Sequence, residues 1–290
     1  MTAAIEAEGL AKRYRPGRWA LRDCTLTVPA GRVVGLVGAN GAGKSTLLHL
    51  AVGLLRPTAG DIEVLGAPPA SGPDQLARVA FVAQDVPLYP ALTVADHLRL
   101  GRELNPAWDG AIAAERVQRL GLDRDQQAGR LSGGQRAQLA LTLAVAKRPE
   151  LLVLDEPASS LDPLARREFL AGLMEAVADQ DLTVVLSSHL LGDVERVCDH
   201  LVVLDRGRVR LAGDVEDLLA AHHLLTGPRR DPRRLPASQQ VVQASHTERQ
   251  TTLLVRTEEP ILDPAWIASA VGLEDLVLAY MAPEAAEVAG

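Results

Sequence analysis

A glycine-rich segment that ends in lysine and serine carries the strongest chemical signal in the sequence. Residues 38–45, Gly-Ala-Asn-Gly-Ala-Gly-Lys-Ser, match the pattern GxxxxGKS/T and lie between an apolar run at 32–37 and a helical pattern at 46–53. In such a loop, backbone N–H groups surround phosphate oxygens, the lysine reaches the β- and γ-phosphates, and the serine hydroxyl binds Mg²⁺. A glycine-rich structural turn is the alternative. The predicted nucleotide-binding residues of this segment are Gly38, Asn40, Gly41, Ala42, Gly43, Lys44 and Ser45.

Two adjacent carboxylates follow a second apolar run. Residues 151–154 are Leu-Leu-Val-Leu, and Asp155, Glu156 and Pro157 come next. Beside a phosphate loop, Asp155 is expected to hold Mg²⁺ through its water shell, and Glu156 to polarise the attacking water. The alternative is a strand that simply ends in acidic residues and a proline.

A serine and two glycines open a strongly apolar helical pattern at residues 131–135, Leu-Ser-Gly-Gly-Gln. A hydroxyl and bare backbone amides at the positive end of a helix form an anion site. Taken alone, the same residues describe a serine N-cap followed by glycines.

The set of motifs and their order along the chain resemble the ATP-binding cassette (ABC) ATPases. A phosphate loop, the segment Leu-Ser-Gly-Gly-Gln and a strand ending in Asp-Glu occur in that order, and the resemblance covers about residues 5–221. It implies that Ser132, Gly133, Gly134 and Gln135 contact the γ-phosphate held by a partner chain. ATP hydrolysis, with ATP and Mg²⁺ as ligands, is therefore the implied activity.

The resemblance also assigns roles near the nucleotide. Tyr14 is implied to stack on adenine, although Trp19 is a competing ring and a surface tyrosine is the plain alternative. Thr46 would contact the α-phosphate. Gln84 is similar to the family glutamine that senses Mg²⁺ and the attacking water.

Two further positions follow from the same resemblance. Asp162, in the segment Ser160-Leu-Asp, is implied to reach toward the partner's site, and an N-cap before Pro163 explains it equally well. His189 matches the family histidine that hydrogen-bonds the γ-phosphate. The implied catalytic residues are Glu156, His189, Gln84 and Lys44, and the implied metal ligands are Ser45, Gln84 and Asp155.

The elements that must position these residues form an α/β pattern. Aliphatic runs alternate with helical patterns, which predicts a largely parallel sheet. Three continuously apolar runs are expected near its centre: residues 32–37, 151–154 and 183–187. Three helices are predicted in an insert between strands: residues 93–104, 111–121 and 135–147. The resemblance implies a P-loop NTPase (RecA-like) core, an antiparallel β edge and a helical signature subdomain.

The remaining residues predict a small α+β tail. The expected organisation is an ATPase domain at 1–225, a linker at 226–238 rich in proline and arginine, and an accessory domain at 239–290. Within the ATPase domain, the core is expected at about 1–85 and 150–225, and a helical subdomain at about 86–149. Helical patterns occur at 264–271 and 273–281.

Composition limits the partners. The 290 residues carry a formal charge of −7, which disfavours nucleic acid as a partner, and they contain no apolar run of the about 20 residues that a bilayer span needs. Cys24 and Cys198 are predicted to be unpaired small hydrophobic residues. The resemblance therefore implies a subunit at the inner face of the cell membrane that binds a separate permease and a second copy of itself.

Three classes share such a cassette. Ribosome-associated ATPases usually carry two cassettes, and chromosome ATPases need a long coiled coil before the signature, and neither feature occurs here. Among transporter subunits, residues 187–195 and 273–278 resemble bacterial ATPases that serve drug, antibiotic or lipid export through a separate ABC-2-type permease, and an importer subunit is the alternative. Residues 84–93 are the predicted permease-docking surface, with packing of Leu88 and Leu92 onto the insert as the plain alternative.

Overall fold

A six-stranded, mostly parallel sheet forms the centre of the molecule. The computed structural model describes residues 2–15, 17–231 and 235–282. In spatial order the strands are β5 (Val79–Val82), β6 (Leu151–Asp155), β7 (Thr183–Ser188), β3 (Val33–Val37), β8 (His200–Asp205) and β9 (Arg208–Asp214). Neighbours run parallel except β9, which is antiparallel to β8. The predicted fold class is confirmed.

The strands at the centre are covered on both faces. Every residue of β3, β6 and β7 is buried, as their continuous apolar sequences predict. On one face, α1 (Lys44–Ala51) packs between this sheet and a second, antiparallel sheet. On the other face lies α6 (Pro163–Asp179), whose Phe169, Leu170 and Leu173 join a separate buried cluster.

The second sheet is the antiparallel edge. It consists, in spatial order, of β2 (Arg18–Pro29), β1 (Ala3–Arg15) and β4 (Ala59–Val64), and a short helix, α2 (Pro73–Arg78), leads into β5. Its inward side chains, such as Leu10 and Leu26, share the cluster that contains α1. The end of the β1–β2 hairpin therefore lies near the start of α1.

The insert between β5 and β6 is helical, as predicted. It contains α3 (Val94–Leu104), α4 (Gly110–Arg119), a short 3-10 turn (Ala128–Arg130) and α5 (Gly133–Ala146). α5 contributes Leu141 to the cluster under the sheet and Leu139 to a cluster within the insert, so it is buried on both sides. This explains why its sequence is apolar almost all round.

Beyond the elements already described, the chain contains three further helices and a third sheet. The helix α7 (Leu191–Val197) follows β7. The elements that follow β9 are, in chain order, α8 (Val215–Ala220), β10 (His222–Pro228), β11 (Gln240–His246), β12 (Gln250–Arg256), β13 (Ile267–Ala270) and α9 (Leu273–Met281). The sheet order is β11-β12-β10-β13, all antiparallel. Within the described residues no helix combines the length and the apolar composition needed to cross a bilayer.

Two predictions in this region differ from the structure. The boundary predicted between 225 and 226 falls inside β10, because residues through Pro228 pair with β12 and the fully buried Leu225 anchors the strand. The helix predicted at 264–271 is wrong. Residues 267–270 form β13, whose exposed side chains gain little from a helical face while its backbone pairs with β10. Arg233 and Arg234 of the predicted linker lie outside the described residues.

Both cysteines are free, as predicted. Burial raises the pKa of Cys24, and it raises the pKa of Cys198 to about 12. Neither thiol is therefore poised for reaction near neutral pH.

Parallel strands bring their carboxyl ends to one edge, where ligands bind in open α/β sheets. β3 ends immediately before the glycine-rich loop, β6 ends at Asp155, and β7 ends immediately before His189. Gln84 lies two residues beyond the end of β5. The fold therefore gathers motifs that are far apart in the sequence.

Candidate functional site

A cleft of about 570 Å³ lies at the carboxyl edge of the sheet. That volume is typical of a small-molecule site. The predicted residues that line the cleft are Tyr14, Asn40, Gly41, Gly43, Lys44, Ser45, Thr46, Gln84, Glu156 and His189. Arg18, Trp19, Ala20 and Ser159 complete its wall. The structure thus brings ten predicted residues into one cleft.

The glycine-rich loop has the shape that a phosphate cradle requires. Gly43 has φ +110°, and a Cβ there would lie 2.5 Å from the Ala20 carbonyl oxygen. A Cβ at Gly38 would lie 2.2 Å from the Leu204 carbonyl oxygen. Larger residues would push the loop out of place, so these glycines keep backbone amides close to the start of α1.

Lys44 lies folded inside this loop. Its ammonium group donates to the carbonyl oxygen of Gly38 at 2.8 Å and to that of Ala39 at 3.4 Å. The same nitrogen lies 3.4 Å from Oε1 of Glu156, and both side chains are largely buried. A cation is thus fixed within the cradle, at the position expected to meet the phosphates.

Glu156 is held by groups on both sides. The Lys44 ammonium lies near Oε1 of Glu156, and Nδ1 of His189 lies 3.0 Å from Oε2. Only 12% of the glutamate side chain is exposed. Because a carboxylate accepts hydrogen bonds only, the imidazole proton is assigned to Nδ1. Glu156 has φ +45°, a backbone conformation that is rare outside glycine and clusters at functional sites.

The oxygen donors beside the loop fit a magnesium ion. Asp155 is buried, its Oδ1 accepts a hydrogen bond from the Ser187 hydroxyl at 2.7 Å, and its Oδ2 has no partner among the described residues. Ser45 and Gln84 supply a hydroxyl and an amide oxygen at the cleft. Mg²⁺ typically takes a few protein oxygen ligands together with phosphates and waters, and these residues offer such oxygens.

Two aromatic rings, those of Tyr14 and Trp19, belong to the wall of the cleft. Tyr14 is 52% exposed, its hydroxyl lies 3.3 Å from Oγ1 of Thr46, and the Lys12 ammonium is 5.8 Å from its ring centre. Trp19 is 37% exposed, and the Arg13 guanidinium lies 5.2 Å from its ring centre. Both rings line the cleft, so the competition between them stays open.

The signature residues 132–135 do not line this cleft. Ser132 caps α5, since its hydroxyl accepts from the Gln135 amide at 3.2 Å and the Gln135 side chain accepts from the Ser132 amide at 2.9 Å. Asp162 likewise caps α6, accepting from the Leu164 and Ala165 amides. The local N-cap reading holds for both residues. A role toward a nucleotide would require a second chain.

Arg166 joins the loop before α6 to the segment after His189. Its Nη2 donates to the Leu161 carbonyl oxygen at 3.3 Å, and its Nε lies 3.8 Å from Oδ2 of Asp193. Burial raises the pKa of Asp193, and the positive charge of Arg166 opposes that rise. The Arg166 side chain therefore links the loop between Glu156 and α6 to the helix α7.

Four residues of the site were missed from the sequence. Arg18, Ala20 and Ser159 line the cleft, and Ser187 lies behind it against Asp155. Arg18 adjoins Trp19, which was already a candidate. Ser187 lies in an apolar strand, and its contact with Asp155 depends on the register between β6 and β7, so no local sequence pattern marks it.

Comparisons with known proteins agree with this geometry. The sequence pattern of the family described as "ABC transporter" matches residues 21–159. The methionine import ATP-binding protein MetN 1 of Burkholderia lata is 36% identical over 77% of this chain and 69% of that protein. The daunorubicin/doxorubicin resistance ATP-binding protein DrrA of Streptomyces peucetius is 36% identical over 75% of this chain and 67% of that protein. A solved structure of an ATP-binding subunit of an ABC transporter superposes with a TM-score of 0.66 at 32% identity, covering 75% of this chain and 92% of its own.

Proposed function

This chain belongs to the ABC transporter ATP-binding family and is an ATPase, and we propose that it powers an exporter whose permease is a separate polypeptide. The observation that carries the ATPase activity is the cleft in which Lys44, Glu156 and His189 meet at the carboxyl edge of the sheet. Resemblance of residues 187–195 and 273–278 to export cassettes, and similarity to a drug-resistance ATP-binding protein, favour export. An importer subunit is the second candidate, since a methionine import protein is equally similar.

The residues of the cleft have different proposed roles in ATP hydrolysis. Amides of the loop at 38–45 and Lys44 bind and orient the phosphates, with Thr46 near the α-phosphate and Tyr14 or Trp19 against adenine. Glu156 accepts a proton from the attacking water. Nε2 of His189, the ring nitrogen that does not contact Glu156, is the proposed contact to the γ-phosphate.

The oxygen donors of the chain are proposed to bind Mg²⁺. When bound, Mg²⁺ neutralises charge on the β- and γ-phosphates. Ser45 and Asp155 are the proposed ligands, with Gln84 beside them. Asp155 is fixed by its hydrogen bond to Ser187, so its orientation does not depend on the ion.

The functional assembly is proposed to be an ATP-dependent dimer of two copies. Ser132, Gly133, Gly134, Gln135 and Asp162 do not line the cleft of their own chain. These residues would instead complete the site of the partner, so that two nucleotides hold the dimer closed and hydrolysis reopens it.

The permease is proposed to dock on residues 84–93, which also places the protein peripherally on the inner face of the cell membrane. Tyr89 is 61% exposed, and its amide donates to Nε2 of the buried His97, whose Nδ1 in turn contacts the Thr93 carbonyl oxygen. The loop therefore presents an aromatic ring from a fixed backbone. A gene for a six-helix permease without a binding protein beside it is expected for export, and a neighbouring binding-protein gene would instead favour import.

We propose that the ATPase unit ends before β10 and that β10 to α9 form an accessory unit. The sheet β11-β12-β10-β13 is separate from the central sheet. The accessory unit carries no residue of the cleft in the described part of the chain.

Glu156→Gln tests the mechanism. This change keeps the shape of the side chain but removes the base, so we expect ATP turnover to fall at least about 100-fold, while a stable dimer forms in ATP. Phosphate release and size-exclusion chromatography with ATP measure the two effects. Glu195→Gln, on the exposed face of α7, is the matched control and should behave as the wild type. Normal turnover in Glu156→Gln would remove Glu156 from the role of base.

A further inference from the structure

One fully buried hydroxyl touches both carboxylate residues of the site. Ser187 Oγ donates to Oδ1 of Asp155 at 2.7 Å and accepts a hydrogen bond from the Glu156 amide at 2.9 Å. Its side chain has no exposed surface. Asp155 and Ser187 are direct neighbours in the parallel pairing of β6 and β7, which brings the hydroxyl opposite the end of β6.

The hydrogen bond from the Glu156 amide involves a residue with an unfavourable backbone conformation. Glu156 has φ +45°, which costs energy for a residue with a side chain unless its surroundings hold it there. The Ser187 hydroxyl binds the amide of this residue. In that conformation the Glu156 side chain reaches both Lys44 and His189.

The first hydrogen bond selects which oxygen of Asp155 is free. With Oδ1 engaged, Oδ2 has no hydrogen-bond partner among the described residues. Removal of the hydroxyl would leave Oδ1 of Asp155 and the amide of Glu156 without their present partner in a buried place. Both carboxylates would then gain freedom to turn.

We propose that Ser187 is a positioning residue that fixes Asp155 and Glu156 together, one by its side chain and the other by its backbone. The proposal rests on the roles proposed above for these two carboxylates. Ser187 does not line the cleft, so it acts through its neighbours and not on the nucleotide. The groups that hold metal ligands in place typically change metal affinity or activity 10–100-fold when they are removed.

A serine that only supports the core predicts a different result. Loss of core support would lower thermal stability and leave the fully folded fraction with normal rate constants. Loss of positioning would lower kcat while nucleotide affinity stays close to that of the wild type, because the loop at 38–45 makes no hydrogen bond to Ser187 in the described residues.

The experiment compares Ser187→Ala with Thr183→Val. Thr183 lies at the opposite end of β7, is also buried, and accepts a hydrogen bond from the Gly31 amide, so its variant loses a buried hydroxyl away from the site. In Ser187→Ala we expect kcat to fall about 10–100-fold while the Kd for ADP changes less than about twofold. Mn²⁺ binding to the ADP complex, followed by electron paramagnetic resonance, should weaken about 10-fold. Thr183→Val should change none of these three quantities by more than about twofold.

Defined outcomes overturn the proposal. A kcat and a Mn²⁺ affinity within twofold of the wild type in folded Ser187→Ala would show that Ser187 is a core residue only. If Ser187→Ala does not fold, Ser187→Cys, whose thiol fills similar space but donates weakly, must show the same loss of kcat. Because Mn²⁺ binding reports on Asp155 without turnover, failure of Glu156 as the base, seen in Glu156→Gln, remains distinguishable from failure of this proposal.

Discussion

Glu156 lies between a cation and an imidazole, and this placement sets what its carboxylate can do. Lys44 reaches one oxygen and His189 the other, so both oxygens have donors in a largely buried position. A buried carboxylate without partners would be costly, whereas here each oxygen is matched. Loss of either partner should therefore disturb Glu156 as well as the phosphates, and their effects on turnover should not add independently.

Tyr14 and Trp19 compete for the adenine, and substitution separates them. The Tyr14 hydroxyl contacts Thr46 at the start of α1, which fixes the position of its ring in the cleft, and Tyr14 is the more exposed ring. We expect Tyr14→Ala to weaken ATP binding about 10-fold, since base stacking is worth about 1–3 kcal/mol. Trp19→Ala should weaken it less than about threefold.

Isothermal titration with Glu156→Gln as the background measures these affinities without turnover. Tyr14→Phe is the matched control, because it keeps the ring and loses only the contact with Thr46. A larger loss in Trp19→Ala than in Tyr14→Ala would identify Trp19 as the stacking residue.

The sequence predicts cleft residues well where local patterns carry the chemistry. Lys44, Glu156 and His189 stand out because each belongs to a motif at the carboxyl end of a strand, and the structure gathers all three. Ser187 does not stand out, because its role depends on the register between β6 and β7, which are 28 residues or more apart in the chain. Contacts set by long-range pairing have no local sequence signal.

At the scale of elements, the start of α5 serves two purposes. Ser132 and Gln135 form a reciprocal capping box, which supports the helix in the single chain. The same amides and hydroxyl are the proposed contacts to a partner's nucleotide. One substitution can keep the first purpose and remove the second.

Ser132→Asp separates the cap from the anion site. Aspartate is as good an N-cap as serine, so the free energy of unfolding should change by less than about 0.5 kcal/mol. A carboxylate facing a phosphate would repel it, so ATP-dependent dimerisation and turnover should fall at least about 10-fold. Chemical denaturation measures the first quantity, and chromatography with ATP measures the second.

The contrasting variant is Ser132→Ala, which loses the cap but adds no charge. It should lower stability by about 1 kcal/mol and impair dimerisation less than Ser132→Asp does. Equal dimerisation in Ser132→Asp and wild type would place the anion site elsewhere.

Helices and strands differ in how far the sequence predicts them. Residues 273–281 have a helical apolar pattern and form α9 with those bounds. Residues 264–271 have a helical pattern too, but 267–270 instead pair with β10 as a four-residue edge strand. A helix needs only its own backbone partners, whereas a short strand is decided by a neighbour that is remote in the chain.

At the scale of the whole molecule, the C-terminal elements share a core with the ATPase elements. Leu276 and Val277 of α9 belong to one buried cluster with Val37, the last residue of β3, and Val194 of α7. Val37 precedes the glycine-rich loop, and α7 follows His189. The segment expected as a tail behind a linker therefore packs against side chains of β3 and α7, the elements next to the glycine-rich loop and His189.

His222 is a buried link within this shared region. Its Nδ1 donates to the Leu218 carbonyl oxygen at 2.6 Å, and its Nε2 accepts from the Tyr280 hydroxyl of α9 at 2.9 Å. Burial is the largest cause that lowers the pKa of His222, and the nearby charges of Arg256 and His223 lower it further. A proton on Nε2 would remove the acceptor that Tyr280 uses, so the neutral imidazole is the form that fits.

This link predicts a dependence of stability on pH. Because the pKa of His222 is lower in the folded chain than in the unfolded chain, the unfolded state binds more protons below about pH 6.5, the ordinary value for histidine. Stability should therefore be constant above that pH with respect to this group and should fall as the pH falls below it. His222→Asn keeps a donor toward Leu218 but cannot titrate, so its Tm should be lower at pH 7.5 yet fall less between pH 7 and pH 5. Differential scanning calorimetry on the wild type and His222→Asn measures how Tm changes with pH, with His246→Gln as an exposed-histidine control. Parallel curves of Tm against pH for the wild type and His222→Asn would show that the proton binds elsewhere.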